Sequence, residues 1–191
     1  MLFNSLEFAI FLPIVFLLYW FVINKNLKSQ NFLLLISSYV FYGWWDYRFL
    51  FLLLFSTLLD YFTGLKMFEA NKLRERKFWF WLSIFINLGF LAIFKYYNFF
   101  IESFSGLLLS FGLKPHIWTL KIILPVGISF YTFHGLSYVF DIYRNKIKPT
   151  RNLIDYSLFV SFFPLLVAGP IERATHLLPQ IQAARSFDAD K

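Results

Sequence analysis

Residues 124–144 read LPVGISFYTFHGLSYVFDIYR, and this stretch decides the fold. Pro125 and Gly127 stand at its start, where they permit a bend or a helix beginning. Beyond them Tyr131, His134, Tyr138 and Asp141 recur at spacings of three and four. On a helix those positions share one face. The residues between them are largely apolar, with Ser137 and Arg144 flanking the stripe. In hydrocarbon such a face turns away from lipid, because exposing it costs several kcal/mol. Two arrangements satisfy it. The helix lines a polar passage, or it binds neighbouring helices through buried hydrogen bonds, which is the commoner use.

The rest of the chain supplies the hydrocarbon. Of 191 residues, 59% are apolar or aromatic and 15% are charged. Soluble domains run about 45–50% apolar and about 25% charged. A soluble domain of this length could not hide so much apolar surface. Disorder is excluded by the same composition. With 8 Gly and no Cys, collagen and disulfide scaffolds are excluded too, as are thiolate nucleophiles and Cys-based metal sites. The formal charge is +7. Because the basic residues sit between apolar runs, they act as topology signals and contacts to membrane lipid; no nucleic-acid partner is expected.

A crossing helix needs about 17–25 mostly apolar residues. Runs near that length cover residues 8–24, 29–45, 49–65, 78–94, 122–140 and 156–171. The expected fold is therefore all-α: a polytopic membrane helix bundle of about six spans. Residues 96–113 are divided by Glu102 and form a short re-entrant or interfacial helix in this scheme. The first run lacks a basic n-region and a cleavage site, so it is not a removable signal peptide. With the N-terminus outside, residues 24–28, 64–77 and 141–151 become cytoplasmic. They carry 11 of the 18 Lys and Arg residues, as the positive-inside rule requires. Trp44, Trp45 and Tyr47, like Trp79 and Trp81, suit the headgroup level.

A second informative stretch, residues 161–180, reads SFFPLLVAGPIERATHLLPQ. Pro164 and the pair Gly169-Pro170 break a would-be span, and Glu172 and Arg173 follow at once. Broken helices at membrane depth usually line cavities. An ordinary span end with an interfacial ion pair fits equally well. Asp60 is a further intramembrane acid, to be paired with Lys66 or with a neighbouring helix. His176 lies beyond the span and is expected to be solvated. No Walker loop, GxGxxG, GxSxG or HExxH occurs, and three scattered His without Cys argue against a metal site.

Both stretches resemble signature segments of the membrane-bound O-acyltransferase family. MLFNSLEFAIFLPIVFLLYW (residues 1–20), SYVFYGWWDYRF (residues 38–49) and FKYYNFF (residues 94–100) are similar to its bacterial alginate O-acetyltransferase branch. The resemblance covers the chain in order. It implies a multi-pass enzyme of the inner (cytoplasmic) membrane that moves an acyl group, usually acetyl, across the membrane. Partner proteins of the periplasm or cell surface then place it on hydroxyls of a polysaccharide acceptor. No bound cofactor is implied, and the acyl donor is left open. The family's catalytic His lies on a later helix, so by this resemblance the catalytic residue is expected beyond Lys191. Residues 1–191 are accordingly expected to be a truncated, N-terminal part of the domain, inactive alone. His134 falls where relatives often carry Gln and does not inherit that role. The expected contribution of this part is a tunnel wall made of Tyr131, His134, Tyr138, Asp141, Glu172 and Arg173. A transporter or export subunit, or a non-catalytic membrane scaffold, is the alternative; transporters predict internal repeats, and none is visible.

Overall fold

The computed structural model describes residues 1–23, 26–111, 123–167 and 169–185. Every element among them is helical. Helix α1 spans Leu6–Leu17 and loosens into a π-helical turn, Leu18–Val22, past Pro13. Ser5 caps it, accepting the Phe8 amide at 3.2 Å. Helix α2 is Leu27–Asp46, capped by Asn26. Asp46 ends it, because its backbone turns extended and its carboxylate accepts the Arg48 amide at 3.0 Å. A short 3-10 turn then leads into α3, Leu50–Glu69. Helix α4 is Leu73–Ser110, α5 is Ile128–Tyr143, α6 is Leu153–Ser161, α7 is Phe163–Leu166 and α8 is Ala174–Gln182.

Among the described residues two helical stretches are long and apolar enough to cross a membrane: Leu27–Glu69, 43 residues, and Leu73–Ser110, 38 residues. The element boundaries differ from the sequence expectation in three places. Residues 96–110 do not form a separate short helix; they continue α4. Glu102 is exposed there, so it imposes no break. Ser105 and Ser110 fold their hydroxyls back onto the carbonyls of Ile101 and Leu107 at 2.8 and 2.6 Å. The run 122–140 becomes helical only at Ile128, after Gly127 at φ 78°. The run 156–171 is not one helix: α6 stops at Ser161, and the four-residue α7 starts at Phe163 with Pro164 in its first turn. At 1.5 Å per residue, nine residues reach only about 14 Å. The ends of three expected runs (residue 24, residue 122 and residue 168 within the last) lie outside the described residues, as do residues 112–113 of the interfacial segment.

Helix α5 sits in the middle, packed against α3 and α4 on one side and α6 and α8 on the other. Helix α6 is buried along nearly its whole length, from Asp155 to Ser161. A helix without a polar face must be enclosed by others. Close approach is permitted by glycine. A Cβ on Gly64 would stand 2.9 Å from Tyr138 and 3.0 Å from Ile142, so α3 lies directly on α5. Phe8, Phe11, Phe41 and Phe163 interleave at ring distances of 5.5–6.5 Å, tying α1, α2 and α7 together.

The basic segments gather at one end. Arg76, at the start of α4, donates to the carbonyls of Ile142 and Tyr143 at 3.1 and 2.6 Å and to Asn145 at 2.6 Å. These carbonyls end α5 and have no partner within it, and a cation at a helix C-terminus also meets the favourable end of its dipole. Tyr61 donates to the Arg151 carbonyl at 2.7 Å. Asn31 near the start of α2 reaches Asp155 near the start of α6 at 2.9 Å. The start of α2, the α3–α4 connection and residues 141–151 therefore share one face of the bundle.

Gly127→Ala is expected to lower stability by about 2 kcal/mol or more, since left-handed backbone costs a residue with Cβ about 1–2 kcal/mol. The new methyl would also press on the Leu166 carbonyl, which is main chain and cannot rotate aside. Thermal melting in detergent, followed by circular dichroism, measures this; an unchanged midpoint would refute the tight α5–α7 approach.

Candidate functional site

The stripe on α5 is buried from end to end. Tyr131 and His134 are 1% exposed, Tyr138 0% and Asp141 5%. The four side chains do not meet one another; each faces a different neighbour. The Tyr131 ring stands edge-on to Tyr42 of α2 at 6.4 Å, and both hydroxyls are buried without a well-formed hydrogen bond. His134 Nε2 accepts the Glu172 amide at 3.2 Å, and its ring lies 5.7 Å from Phe159. This bond joins α5 to the segment that follows α7. Tyr138 accepts the Thr150 amide at 3.1 Å and packs on Tyr156 at 4.4 Å. Asp141 Oδ2, like the Tyr131 hydroxyl and His134 Nδ1, is buried with no hydrogen-bond partner.

Glu172 and Arg173 do not pair with each other. Glu172 pairs with His176 instead, Oε2 to Nδ1 at 2.8 Å, one helical turn on. Arg173 turns into a groove of about 450 Å³ between α4, α5 and residues 171–173. Of the six residues expected in a wall, Asp141 and Arg173 line this groove. Tyr131, His134, Tyr138 and Glu172 stand behind it or elsewhere. His134 supports it indirectly, since its carbonyl accepts the hydroxyl of Ser137, a groove residue, at 2.8 Å. His176 is largely exposed, as the sequence suggests. Among the described residues no cluster of three or more His, Asp or Glu could hold a metal ion. Lys191, with residues 186–190, lies outside the described residues.

Two polar nodes fasten the frame around the groove. Asp60 of α3 is 1% exposed and pairs with a neighbouring helix, not with Lys66. Its Oδ1 accepts Ser83 Oγ at 2.6 Å and Asn87 Nδ2 at 2.7 Å, both from α4. Ser56 completes the set by donating to Asn87 at 2.8 Å. From α5, Gly135 brings bare backbone against Asp60; a Cβ there would overlap Oδ2. Lys66 instead lies 3.8 Å from Glu69. At the basic end, Arg185 donates to Tyr19 at 2.7 Å, to Asn31 at 3.0 Å and to the Ile181 carbonyl at 3.0 Å. Asn31 in turn donates to Asp155. Ser83, Asn87, Asn31, Asp155 and Arg185 carry no spacing motif. The usable signal was their rarity: Asn31, Ser83 and Asn87 are polar positions inside otherwise apolar runs.

The chain is 42% identical, over its whole length, to a Pseudomonas putida protein named "Probable alginate O-acetylase AlgI", and 41% identical to the protein of the same name from Pseudomonas aeruginosa. The chain is a homologue of these O-acetylases. A peptidoglycan O-acetyltransferase of Helicobacter pylori is 33% identical over 95% of the chain. The O-acetylase homologue spans only 39%, 36% and 39% of the lengths of these three relatives. No protein-family model matches it. No solved structure matches it either. The relatives' names accord with the motif resemblance on residues 1–20, 38–49, 94–100, 124–144 and 161–180.

Proposed function

We propose that residues 1–191 are the N-terminal part of a membrane-bound O-acyltransferase domain that passes an acetyl group toward hydroxyls of an exported polysaccharide. One observation carries the proposal: 42% identity runs over the whole chain to a named alginate O-acetylase. The chain lies in the cytoplasmic membrane with its N-terminus outside, and residues 64–77 and 141–151 face the cytoplasm. Their meeting through Arg76 supports that sidedness. Helices α1 to α5 cross; α6 and α7 form a broken, enclosed segment beside them, in place of a sixth span. Asp141 and Arg173, with Ser137, line one wall of the acyl passage, and Tyr131, His134, Tyr138 and Glu172 support that wall from behind. Partner proteins outside complete delivery to the polymer.

The chain supplies wall and frame in this scheme, not the base. Acyl transfer needs a group that takes the proton of the acceptor hydroxyl as its oxygen attacks the acyl carbon. His134 is unsuited, being enclosed with Nε2 occupied. His176 is tied to Glu172 at an exposed site, where water is not excluded. The purified 191-residue chain alone is therefore expected to transfer no acetyl.

The test is the acetyl content of the host's exported polysaccharide, with the gene intact and deleted. Acetyl should fall to background on deletion while polymer is still secreted. Secretion lost with the acetyl content of residual polymer unchanged would make the protein an export subunit. In a full-length relative, replacing the residues matching His134 and Asp141 by alanine should lower acetylation at least about tenfold. Wild-type acetylation at wild-type protein level would remove the wall assignment.

A further inference from the structure

Helix α8 turns a polar face outward. Its inner face, Ala174, Leu177, Leu178 and Ile181, is buried. Its outer face carries Thr175, His176, Pro179 and Gln180, all exposed. The polar groups run in a row. Glu172 Oε2 meets His176 Nδ1 at 2.8 Å, and His176 Nε2 meets the Gln180 amide nitrogen at 3.2 Å. The His176 side chain is 68% exposed. No large apolar side chain is exposed on this helix.

The depth of this row follows from its contacts. The Glu172 amide donates to His134. Next to His134, Gly135 rests on Asp60, which stands midway along the 20 residues of α3. At the other end of α8, Gln182 donates to Thr150 at 3.2 Å and Arg185 donates to Asn31, both on the basic face of the bundle. Nine helical residues cover about 14 Å, so α8 runs from the middle of the bundle to that face. An amphipathic helix that rests on a membrane lies in the interfacial plane with its apolar side in lipid. Helix α8 does neither: it descends, and its apolar side is spent on α5 and α6. At the depth of Asp60, α4 presents a different surface. Phe85, between the Asp60 partners Ser83 and Asn87, is 70% exposed.

Polar and charged groups at this depth face protein or water, because facing lipid is expensive. Close helix contact in a membrane rests on small and apolar residues, whereas His176 and Gln180 stand out from this face. The row is also continuous with the basic face. We infer that the outer face of α8 borders a water-filled recess, which opens on the basic face of the bundle and reaches the level of Glu172. It gives a polar solute of the cytoplasm a way to mid-depth on the α8 side, apart from the groove between α4 and α5. More than half the length of each relative lies outside the matched part, enough for helices that close the recess toward lipid. The inference rests on the membrane placement proposed above.

The chain has no Cys, so a single introduced thiol reports alone. His176→Cys, Gln180→Cys and Phe85→Cys are each made in the full chain in the host's membranes. Inverted vesicles are then treated with a charged, membrane-impermeant maleimide. His176→Cys and Gln180→Cys should react at least about tenfold faster than Phe85→Cys, since the reagent does not enter hydrocarbon. Circular dichroism of each purified variant checks folding, and Gln180→Cys leaves the Glu172–His176 pair intact. Reaction at both positions no faster than at Phe85→Cys refutes the recess. A small lipophilic maleimide then tells why: reaction with it means lipid on the α8 face, and none means a covering helix. Lys146→Cys, in residues 141–151, tests the placement separately. It should react in inverted vesicles and not in right-side-out ones. The reverse, with His176→Cys reacting from the same side as Lys146→Cys, would overturn the sidedness and uphold the recess. A chain absent from the membrane fraction overturns both.

Discussion

Gly135→Ala is expected to lower the melting midpoint of the protein by about 10 °C. The α3–α5 contact leaves no room at this position: the added methyl would overlap Asp60 Oδ2 and stand 3.1 Å from its Cγ. Relief is blocked on both sides. Asp60 cannot swing away, because Oδ1 is held by Ser83 and Asn87. Helix α5 cannot retreat, because Gly64 is pressed against Tyr138 and Ile142 on the same interface. Overpacking of this kind costs about 1–3 kcal/mol and sometimes more. Here it also disturbs a buried carboxylate, so about 3–4 kcal/mol is expected. Whole proteins are stable by only about 5–15 kcal/mol. For a chain of this size the melting midpoint should fall by about 10 °C. Gly89→Ala is the control, since no atom lies within 4 Å of its Cβ. In the middle of α4 it should be neutral or stabilising by up to about 1 kcal/mol. Equal melting of the two variants would mean that α3 and α5 do not touch as described.

This contact shows where sequence reasoning stops. The all-helical class was legible, because Tyr131, His134, Tyr138 and Asp141 keep helical spacing inside an apolar run. Their burial on one helix followed from the same spacing. What they face did not follow, since a face names a direction and not a partner. His134 meets the Glu172 backbone through residues that lie 38 positions apart. The length of α4 was hidden because Glu102 and the serines resemble breakers, although serine hydroxyls can satisfy themselves on the preceding turn. The shortness of α6 was half legible: Pro164 marked the break, but apolar content could not tell an enclosed helix from a lipid-facing one. Gly135 was invisible for another reason. A glycine in a helix reads as a weak point, and only the position of Asp60 shows that it is a requirement.

Asp60 itself yields a sharper test, because its charge and its hydrogen bonding can be separated. Asp60→Ala should cost about 3 kcal/mol. It strips the acceptor from Ser83 Oγ and from Asn87 Nδ2 in a dry interior, and each buried group left unmet costs about 1–3 kcal/mol. Asn87 keeps a weaker alternative, the Ser83 carbonyl at 3.0 Å, so the sum is not the full two groups. Asp60→Asn should behave differently. Its amide oxygen still accepts from Ser83 and Asn87, and the volume is unchanged. The NH2 replaces an Oδ2 that has no partner now. No cation faces this carboxylate among the described residues, so the negative charge contributes desolvation cost without an ion pair in return. Removing it should leave the melting midpoint equal or slightly higher, within about 1 kcal/mol. Both variants are read by melting in detergent and by yield in the membrane fraction. If Asp60→Asn proves as damaging as Asp60→Ala, hydrogen bonding does not explain the residue. A cation or a proton that needs the charge must then visit the α3–α4 interface. If Asp60→Asn is stable, Asp60 is an acceptor that locks α4 onto α3, and through Gly135 it sets how closely α5 can bring its stripe to the groove.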